Sequence, residues 1–329
     1  NRIYFGGFSG GGRVASSALA IQNSIKGIIS IAAGTPPVSM STCRFIGIAG
    51  KQDFNYKEVK TAVQKLTMPS IALYHNGIHE WCPSELMDKA LVLFECDAMR
   101  EKTIPVAKEQ LQTLSSISKL KAEKLQSAGD HTGALNTLQY ASECLNGLLK
   151  DEELNNAINN LKNSVKYQNS VQEENKLNED QTSLVQFYVK QFGQPLDTWN
   201  VNMQKLNSEM NKSKNSPRYF MLKRMIATLS MQCYLYAKPE LSSADINKAT
   251  YLTQLYTIID PENKDAHYFA AIIAAKQQQQ EAMIKELNIS IAKGFSDVEL
   301  LKGESAFLPY QNSTEFKNII EKVIINQNN

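Results

Sequence analysis

Near its start the chain reads Arg2-Ile3-Tyr4-Phe5-Gly6-Gly7-Phe8-Ser9-Gly10-Gly11. The apolar residues 3–5 are typical of a short strand, and the small and apolar residues that begin at Val14 are typical of a helix. Between them, Ser9 has a glycine two positions away on each side. This stretch therefore predicts a strand, a tight turn at the serine and then a helix.

Three further apolar runs have the character of strands, at residues 27–33, 45–49 and 71–74. Near-continuous apolar runs of this kind suit strands that are buried on both faces of a parallel sheet. Helical patterns accompany them at residues 14–24, 57–66 and 83–100, whereas residues 33–45 carry no clear helix. The order predicts an α/β domain over residues 1–103, with a parallel sheet of about four strands.

From about residue 104 the strand patterns cease. Helical spacing then recurs at residues 105–128, 131–149, 184–192, 217–237, 244–259, 264–276 and 279–293. Residues 122–149 and 251–294 resemble tetratricopeptide-type (TPR-like) helix pairs, whereas residues 154–181 fit that repeat poorly. We therefore expect an all-α domain of degenerate helical repeats over residues 104–329, in which stacked neighbours supply the shared core.

The composition is that of an ordinary globular protein. Of the 329 residues 43% are hydrophobic and 21% charged, and 35 basic against 33 acidic side chains give a net charge of +2. This balance gives no general electrostatic reason to expect binding to nucleic acid or to an anionic membrane. No apolar run approaches the length of about 20 residues that a membrane-spanning helix needs. We therefore expect no nucleic-acid partner and no transmembrane segment.

The cysteines and histidines predict neither a disulfide framework nor a metal site. The five cysteines are widely and irregularly spaced, at positions Cys43, Cys82, Cys96, Cys144 and Cys233. We expect mostly free, buried thiols, and a Cys43–Cys82 bridge is the alternative. His131 and His267 fall in the helical half, where surface or packing roles are expected, and four scattered histidines make no metal site.

The glycines around Ser9 match the G-x-S-x-G nucleophile elbow, a strained turn between a strand and a helix that presents a serine hydroxyl. Gly7 and Gly11 are then expected to be small because the strand and the helix pass close together. A serine hydroxyl also needs a base to take its proton and a donor to hold the oxyanion. The backbone N–H of Gly10, at the positive end of the helix, would be one such donor.

An elbow of this kind predicts an acid and then a histidine, each after a later strand. The strand at residues 45–49 leads to Asp53, and the strand at residues 71–74 leads to His79. His79 is preferred over His75, which is expected to belong to the strand itself. The alternatives are a plain turn serine for Ser9, and an Asx turn or a helix cap for Asp53.

The segments Gly7–Gly11, Gly50–Asp53 and Gly77–Trp81 together resemble the α/β-hydrolase family, especially its dienelactone hydrolase and carboxylesterase-like branch. The resemblance implies Ser9 as the nucleophile, His79 as general base and then acid, and Asp53 as the residue that orients His79. It implies a small-molecule ester or a peptide or amide as substrate, and no metal or organic cofactor. Phe8 and Trp81 are candidates for the substrate pocket, with core packing as the alternative for Trp81.

The resemblance covers only about the first 100 residues. In that family further strands precede the elbow, and one of their loops supplies the second oxyanion donor, whose removal costs roughly 10²–10³ in rate. We therefore expect a half-complete oxyanion hole here, and an exposed sheet edge at residues 3–5. Similar two-part hydrolases are often exported bacterial proteins, which favours an extracytoplasmic location (secreted or periplasmic) over a cytoplasmic one.

Two other functions fit parts of the sequence. Residues 10–15 also fit a loose dinucleotide-binding fingerprint, but the acidic residue that it requires at the end of the next strand is missing from residues 30–34. Helical repeats commonly present a concave surface to a protein partner. In that alternative the chain is a non-catalytic interaction protein that carries a relic hydrolase half.

Overall fold

A computed structural model of the chain describes residues 2–18, 24–34, 43–243 and 245–328. The end of the helix predicted at residues 14–24 and most of the connection at residues 33–45 lie outside these ranges. By its internal contacts the chain divides into two compact units, Asn1–Gln181 and Thr182–Asn329. The strands all belong to the first unit.

The first unit is built on a four-stranded parallel sheet with the order β1-β2-β3-β4. Its first elements are β1 Ile3–Phe8, α1 Gly10–Ser17, β2 Ile25–Ile31, β3 Arg44–Gly50, α2 Tyr56–Lys65, β4 Ser70–His75 and α3 Ser84–Arg100. The register places Ile31 of β2 opposite Phe8 of β1 and Ile48 of β3, and Ile48 opposite Leu73 of β4. Because the strands are parallel, their carboxyl ends meet at one edge of the sheet, and the loops after β1, β3 and β4 leave from that edge.

Alternate strand residues point to two apolar layers. On one face Ile28 belongs to a buried cluster with Ala15 of α1, and on the other face Ile29 belongs to a cluster with Leu93 of α3. Since both faces are covered, almost every strand position must be apolar or small. This is why the strands could be predicted from unbroken apolar runs.

The predicted architecture is confirmed at the level of class: a parallel four-stranded sheet is followed by many helices, which makes an α/β region and an all-α region. The first strand runs to Phe8, beyond the predicted residues 3–5, because Gly6 and Gly7 continue the pairing with β2. Along the other side of β1 no described strand is paired, and Ile3 and Phe5 are each 37% exposed. The exposed sheet edge expected there is thus present in the described part of the chain.

The helices after the sheet begin within the first compact unit. They are α4 Lys108–Ser127, α5 His131–Leu145, α6 Glu152–Asn163 and α7 Val165–Val189. Leu111 of α4, Leu138 of α5 and Ile158 of α6 share one buried cluster with Ile46 and Leu93 of the sheet layer. The compact unit extends to Gln181, within α7, and the predicted boundary at residues 103/104 lies inside it, where the strands end and the helical region begins.

A buried ion-pair network joins three elements of this unit. Arg44 at the start of β3 is 4% exposed, and its Nε and Nη2 lie 2.5 and 2.9 Å from the carboxylate of Asp97 on α3. Arg44 also reaches Glu143 of α5 at 3.4 Å, and Arg100 donates to Asp97 and to the carbonyl oxygen of Cys144. A paired, hydrogen-bonded arginine of this kind can be buried between strand and helices.

The second unit is helical among its described residues. Its elements are α8 Leu196–Lys212, α9 Pro217–Glu240, α10 Ile246–Ile259, α11 Lys264–Lys276, α12 Gln280–Ala292, α13 Val298–Gly303, a 3-10 helix Ser305–Tyr310 and α14 Thr314–Asn328. The pair α11 and α12 matches the predicted helices at residues 264–276 and 279–293 closely. Helices α6, α8, α13 and α14 and the 3-10 helix are additions to the predicted set. Within the described residues, no helix combines the length and the apolar character needed to cross a bilayer.

Candidate active site

Ser9 lies in the turn between the last residue of β1, Phe8, and the first residue of α1, Gly10. Its backbone has φ 50° and ψ −115°, a conformation that residues with a side chain rarely adopt. Two hydrogen bonds hold it there: its N–H donates to the carbonyl oxygen of Ile31 at 2.8 Å, and its own carbonyl oxygen accepts from the N–H of Arg13 at 3.2 Å. The strained turn that the sequence predicts is thus present at this serine.

Of the two glycines that were expected to be small, Gly7 is required by close packing and Gly11 is not. A Cβ on Gly7 would lie 2.4 Å from the backbone of Gly11, so the strand and the helix do approach closely at Gly7. A Cβ on Gly11, however, would meet nothing within 4 Å, so the expectation that Gly11 must be small is wrong. The second tight position is Gly12, where a Cβ would lie 2.8 Å from the hydroxyl of Ser30.

Gly10 is the first residue of α1 and is exposed. The first N–H groups of a helix have no acceptor within the helix, and they lie at the positive end of the helix dipole. The N–H of Gly10 is therefore available to a negatively charged oxygen beside Ser9. This is the position that the sequence predicts for an oxyanion donor.

Asp53 follows β3 and is completely buried. Its Oδ1 accepts a hydrogen bond from the N–H of Asn55 at 2.8 Å, so the Asx turn considered as an alternative is also formed. The Nδ2 of Asn55 in turn donates to the carbonyl oxygen of Ala32 at 2.7 Å, which fixes the loop against the end of β2. The other oxygen, Oδ2, has no hydrogen-bond partner among the described residues.

His79 connects Asp53 to Ser9. Its Nδ1 lies 3.0 Å from Oδ1 of Asp53, and its Nε2 lies 3.0 Å from Oγ of Ser9. With the imidazole proton on Nδ1, the ring donates to the carboxylate, and Nε2 is free to accept the proton of the serine hydroxyl. The structure thus brings together the three residues that were predicted from separate loops.

His75 does not share this arrangement. It is the last residue of β4, and its Nδ1 accepts the N–H of Gly77 at 3.1 Å. Burial lowers the pKa of its imidazole, which keeps the ring neutral. The choice of His79 over His75 therefore agrees with where the two rings lie.

Aromatic rings surround the imidazole of His79. Phe54 stacks on it with ring centroids 4.4 Å apart, and Phe8 packs against it at 4.8 Å. Trp81 stacks on Phe8 at 5.6 Å and is 62% exposed, which a core residue would not be. Phe8 and Trp81 were predicted near the site, whereas Phe54 was missed, although it directly follows Asp53 in the sequence.

The loops that carry Asp53 and His79 are joined to each other by their backbones. The N–H of Lys51 donates to the carbonyl oxygen of His75 at 2.7 Å, and the N–H of Gln52 donates to that of Gly77 at 3.0 Å. A Cβ on Gly50 would lie 2.3 Å from the carbonyl oxygen of Gly77, so a glycine is needed for this approach. The loops that carry the acid and the imidazole are therefore fixed to each other by backbone hydrogen bonds.

The remaining cysteines and histidines lie outside this arrangement. All five cysteines are free, and four of them are buried, including Cys43, whose burial raises the pKa of its thiol to about 11. The expectation of mostly free, buried thiols is confirmed, and the alternative of a Cys43–Cys82 bridge is wrong. His267 is bonded to Glu286 and to the carbonyl oxygen of Pro261, as a packing residue would be. Among the described residues, no group of three or more histidine, cysteine or carboxylate side chains could hold a metal ion.

Comparison of the chain with models of known families, with curated proteins and with solved structures found no match.

Proposed function

We propose that the chain is a serine hydrolase that acts through an acyl–Ser9 intermediate on an ester, or on an amide or peptide. The observation that supports this proposal is the continuous relay from Oγ of Ser9 through His79 to Asp53, with 3.0 Å at each step. A serine, a histidine and a buried carboxylate in this order form the constellation that activates a serine hydroxyl on unrelated folds. The strained backbone of Ser9 is a second sign of a functional site.

The proposed reaction proceeds in two steps. Oγ of Ser9 attacks the carbonyl carbon while its proton moves to Nε2 of His79, and the protonated ring then gives that proton to the leaving oxygen or nitrogen. In the second step a water attacks the acyl carbon, its proton moves to Nε2, and Oγ of Ser9 recovers the proton as the acid departs. Asp53 keeps the imidazole in the required tautomer and stabilises its positive charge.

Each addition to the carbonyl produces a negatively charged oxygen. In this proposal the N–H of Gly10 donates to that oxygen, and the positive end of α1 adds to the stabilisation. The small size of Gly7 and Gly12 supports this role, because it allows the start of α1 to lie directly against the end of β1. The catalytic serine and the oxyanion donor are then consecutive residues.

Labelling with a fluorophosphonate probe tests the proposal. The probe should form a covalent bond to Ser9 and block hydrolysis of 4-nitrophenyl esters, and Ser9→Ala should abolish both signals. Ser17→Ala is a matched control, because Ser17 is an exposed serine of α1 whose hydroxyl only donates to the carbonyl oxygen of Arg13. A folded wild-type chain that shows neither labelling nor esterase activity would overturn the proposal.

One observation favours a binding role for the helical region as a second candidate. In the second unit a cavity of about 420 Å³ lies between α9, α10 and the end of α7. Its lining residues are Val189, Phe192, Gly193, Tyr236, Glu240, Lys248, Tyr251 and Leu252. This volume lies in the range of small-molecule and side-chain pockets. If Ser9 is not labelled, an interaction protein that binds a partner through its helices becomes the better account, and Tyr236→Ala should then weaken that binding.

A further inference from the structure

We infer that the substrate carries an apolar group next to its scissile carbonyl, and that the exposed ring of Trp81 binds this group. The inference rests on the proposed function, since it concerns the site of Ser9. The relay from Ser9 to Asp53 does not by itself select a substrate class, whereas the surface beside the nucleophile would select an apolar one.

A continuous path of ring contacts leads from the nucleophile to Trp81. Oγ of Ser9 lies 3.0 Å from the His79 ring, the His79 ring lies 4.8 Å from that of Phe8, and Phe8 stacks on Trp81 with centroids 5.6 Å apart and an interplanar angle of 29°. Phe8 directly precedes Ser9 in the chain. The aromatic surface formed by Phe8 and Trp81 therefore begins directly beside the nucleophile.

The surface is left open to solvent. Trp81 is 62% exposed and Ile78, three residues earlier in the same loop, is 55% exposed. The other tryptophan, Trp199, is completely buried, as a packing tryptophan usually is. Large apolar side chains that remain exposed beside a reactive group are typical of a ligand-binding surface.

The charges near the site argue against an anionic substrate. The two terminal guanidinium nitrogens of Arg13 on α1 lie 2.9 and 3.0 Å from the two carboxylate oxygens of Glu58. Nζ of Lys51 lies 3.6 Å from Oδ2 of Asp130. Both cations therefore already face a carboxylate. Glu80, between His79 and Trp81, adds a negative charge of its own, which disfavours a carboxylate on the substrate.

A series of esters tests this inference. With a fixed 4-nitrophenyl leaving group, kcat/KM should rise from acetate through butyrate to hexanoate and be lowest for the hemisuccinate. A second series keeps the acetyl group, and kcat/KM should be higher for the phenyl than for the 4-carboxyphenyl leaving group. Trp81→Ala should reduce the hexanoate-to-acetate ratio by roughly tenfold, the low end of what apolar pocket contacts discriminate. Trp81→Lys should raise the relative rate with the hemisuccinate.

Leu120→Ala is the matched control for the loss of exposed apolar surface, because Leu120 on α4 is 59% exposed and belongs to no part of the site. This variant should leave the hexanoate-to-acetate ratio and the relative rate with the hemisuccinate unchanged. Hydrolysis without an apolar preference in either series, or a preference that survives in Trp81→Ala, would overturn the inference while leaving the proposed function intact. Absence of hydrolysis together with absence of labelling would instead overturn the proposed function.

A binding experiment reads the same surface without catalysis. In the variant Ser9→Ala with Trp199→Phe, Trp81 is the only tryptophan, so its fluorescence reports the site alone. The ketone 2-octanone, which mimics an apolar ester but cannot be hydrolysed, should shift the emission of Trp81 to shorter wavelength. The charged ketone 4-oxopentanoate should not. Equal responses to the two ketones, or no response to either, would contradict the inference.

Discussion

The conformation of Ser9 costs free energy that its neighbours must offset. A non-glycine residue in a sparsely populated backbone region is destabilised by about 1–3 kcal/mol. The hydrogen bond from its N–H to Ile31 and the close packing of Gly7 against Gly11 hold it in place. The shape of the turn therefore depends on the absence of a side chain at Gly7 as much as on the serine itself.

Gly7 and Gly11 make a matched pair for testing this dependence. Gly7→Ala places a Cβ 2.4 Å from the backbone of Gly11, so we expect lower stability and loss of Ser9 labelling. Gly11→Ala meets open space in a helix, where alanine is better than glycine by up to about 1 kcal/mol, so it should keep labelling and raise stability slightly. Urea unfolding and labelling rates measure both effects, and equal damage by the two changes would contradict this account.

The carboxylate of Asp53 should matter for rate more than for stability. Asp53→Asn can keep an oxygen toward the N–H of Asn55 and Nδ1 of His79, but it loses the negative charge that stabilises the protonated imidazole. In known triads this change lowers kcat by about 10⁴. We expect a loss of that order in ester hydrolysis, with a nearly unchanged unfolding midpoint. Asp88→Asn on α3, an exposed position, is the control, and a loss below tenfold in Asp53→Asn would argue against the relay.

Helix α6 begins with a capping interaction that makes its stability depend on pH. Asp151 accepts the N–H of Leu154 at 2.9 Å, and Ser115 and Lys119 also contact its carboxylate. Burial by itself would raise the pKa of Asp151, but the Ser115 hydroxyl, the Leu154 N–H and the Lys119 ammonium hold that pKa below its usual range. The carboxylate thus contributes stability above a pH of about 4, the usual pKa of aspartate, and loses it as the pH falls further.

Asp151→Ala should therefore lower the free energy of unfolding by about 1 kcal/mol at pH 7, and the difference from wild type should shrink below pH 4. Asp151→Asn keeps the cap and loses the charge, so its effect at pH 7 should be smaller than that of Asp151→Ala and should shrink toward zero below pH 4, where the wild-type carboxylate is itself protonated. Urea titrations at several pH values measure both. A penalty for Asp151→Ala that stays constant down to pH 2 would contradict the assignment.

Helices and strands were predicted well where their buried apolar residues form a clear run or repeat, and poorly where they do not. Strands β2 and β3 are apolar on both faces, so their positions were evident within about two residues. Helix α7 was missed over most of its length because only Leu177, Gln181 and Tyr188 are buried among its 25 residues, which leaves almost no apolar periodicity. The ring of Phe54 on His79 was not predictable either, since it depends on how two loops meet in space.

The extent of the first compact unit is a property of packing that no local pattern reveals. Leu111, Leu135 and Ala141 lie in the same buried cluster as Ile46 and Ile48 of the sheet, although about 60 to 95 positions separate them in the sequence. The sequence change near residue 104 identified where strands stop but not which helices cover the sheet. That Ser9, Asp53 and His79 meet, in contrast, was predictable because parallel strands bring their carboxyl ends to one edge.

Truncation tests this view of the unit. A chain that ends after α7, at residue 189, should unfold cooperatively and keep Ser9 labelling, because the sheet retains α4–α6. A chain that ends at residue 103 loses that apolar cover and the Glu143 contact of Arg44, so it should lack cooperative unfolding. Circular dichroism during urea titration separates the two. A stable, labelled chain of 103 residues would show that the predicted boundary was a true folding boundary.

The backbone bonds that join Lys51 to His75 and Gln52 to Gly77 have a mechanical consequence. We therefore expect the backbones that carry Asp53 and His79 to move together, since a large separation of the two loops would break both bonds. Among the described residues, no backbone hydrogen bond joins residues 8–11 to residues 75–79, so loosening of the relay is expected between serine and imidazole. Relaxation measurements by NMR should find correlated, low-amplitude motion for residues 50–53 and 75–79, and larger amplitudes for residues 8–11.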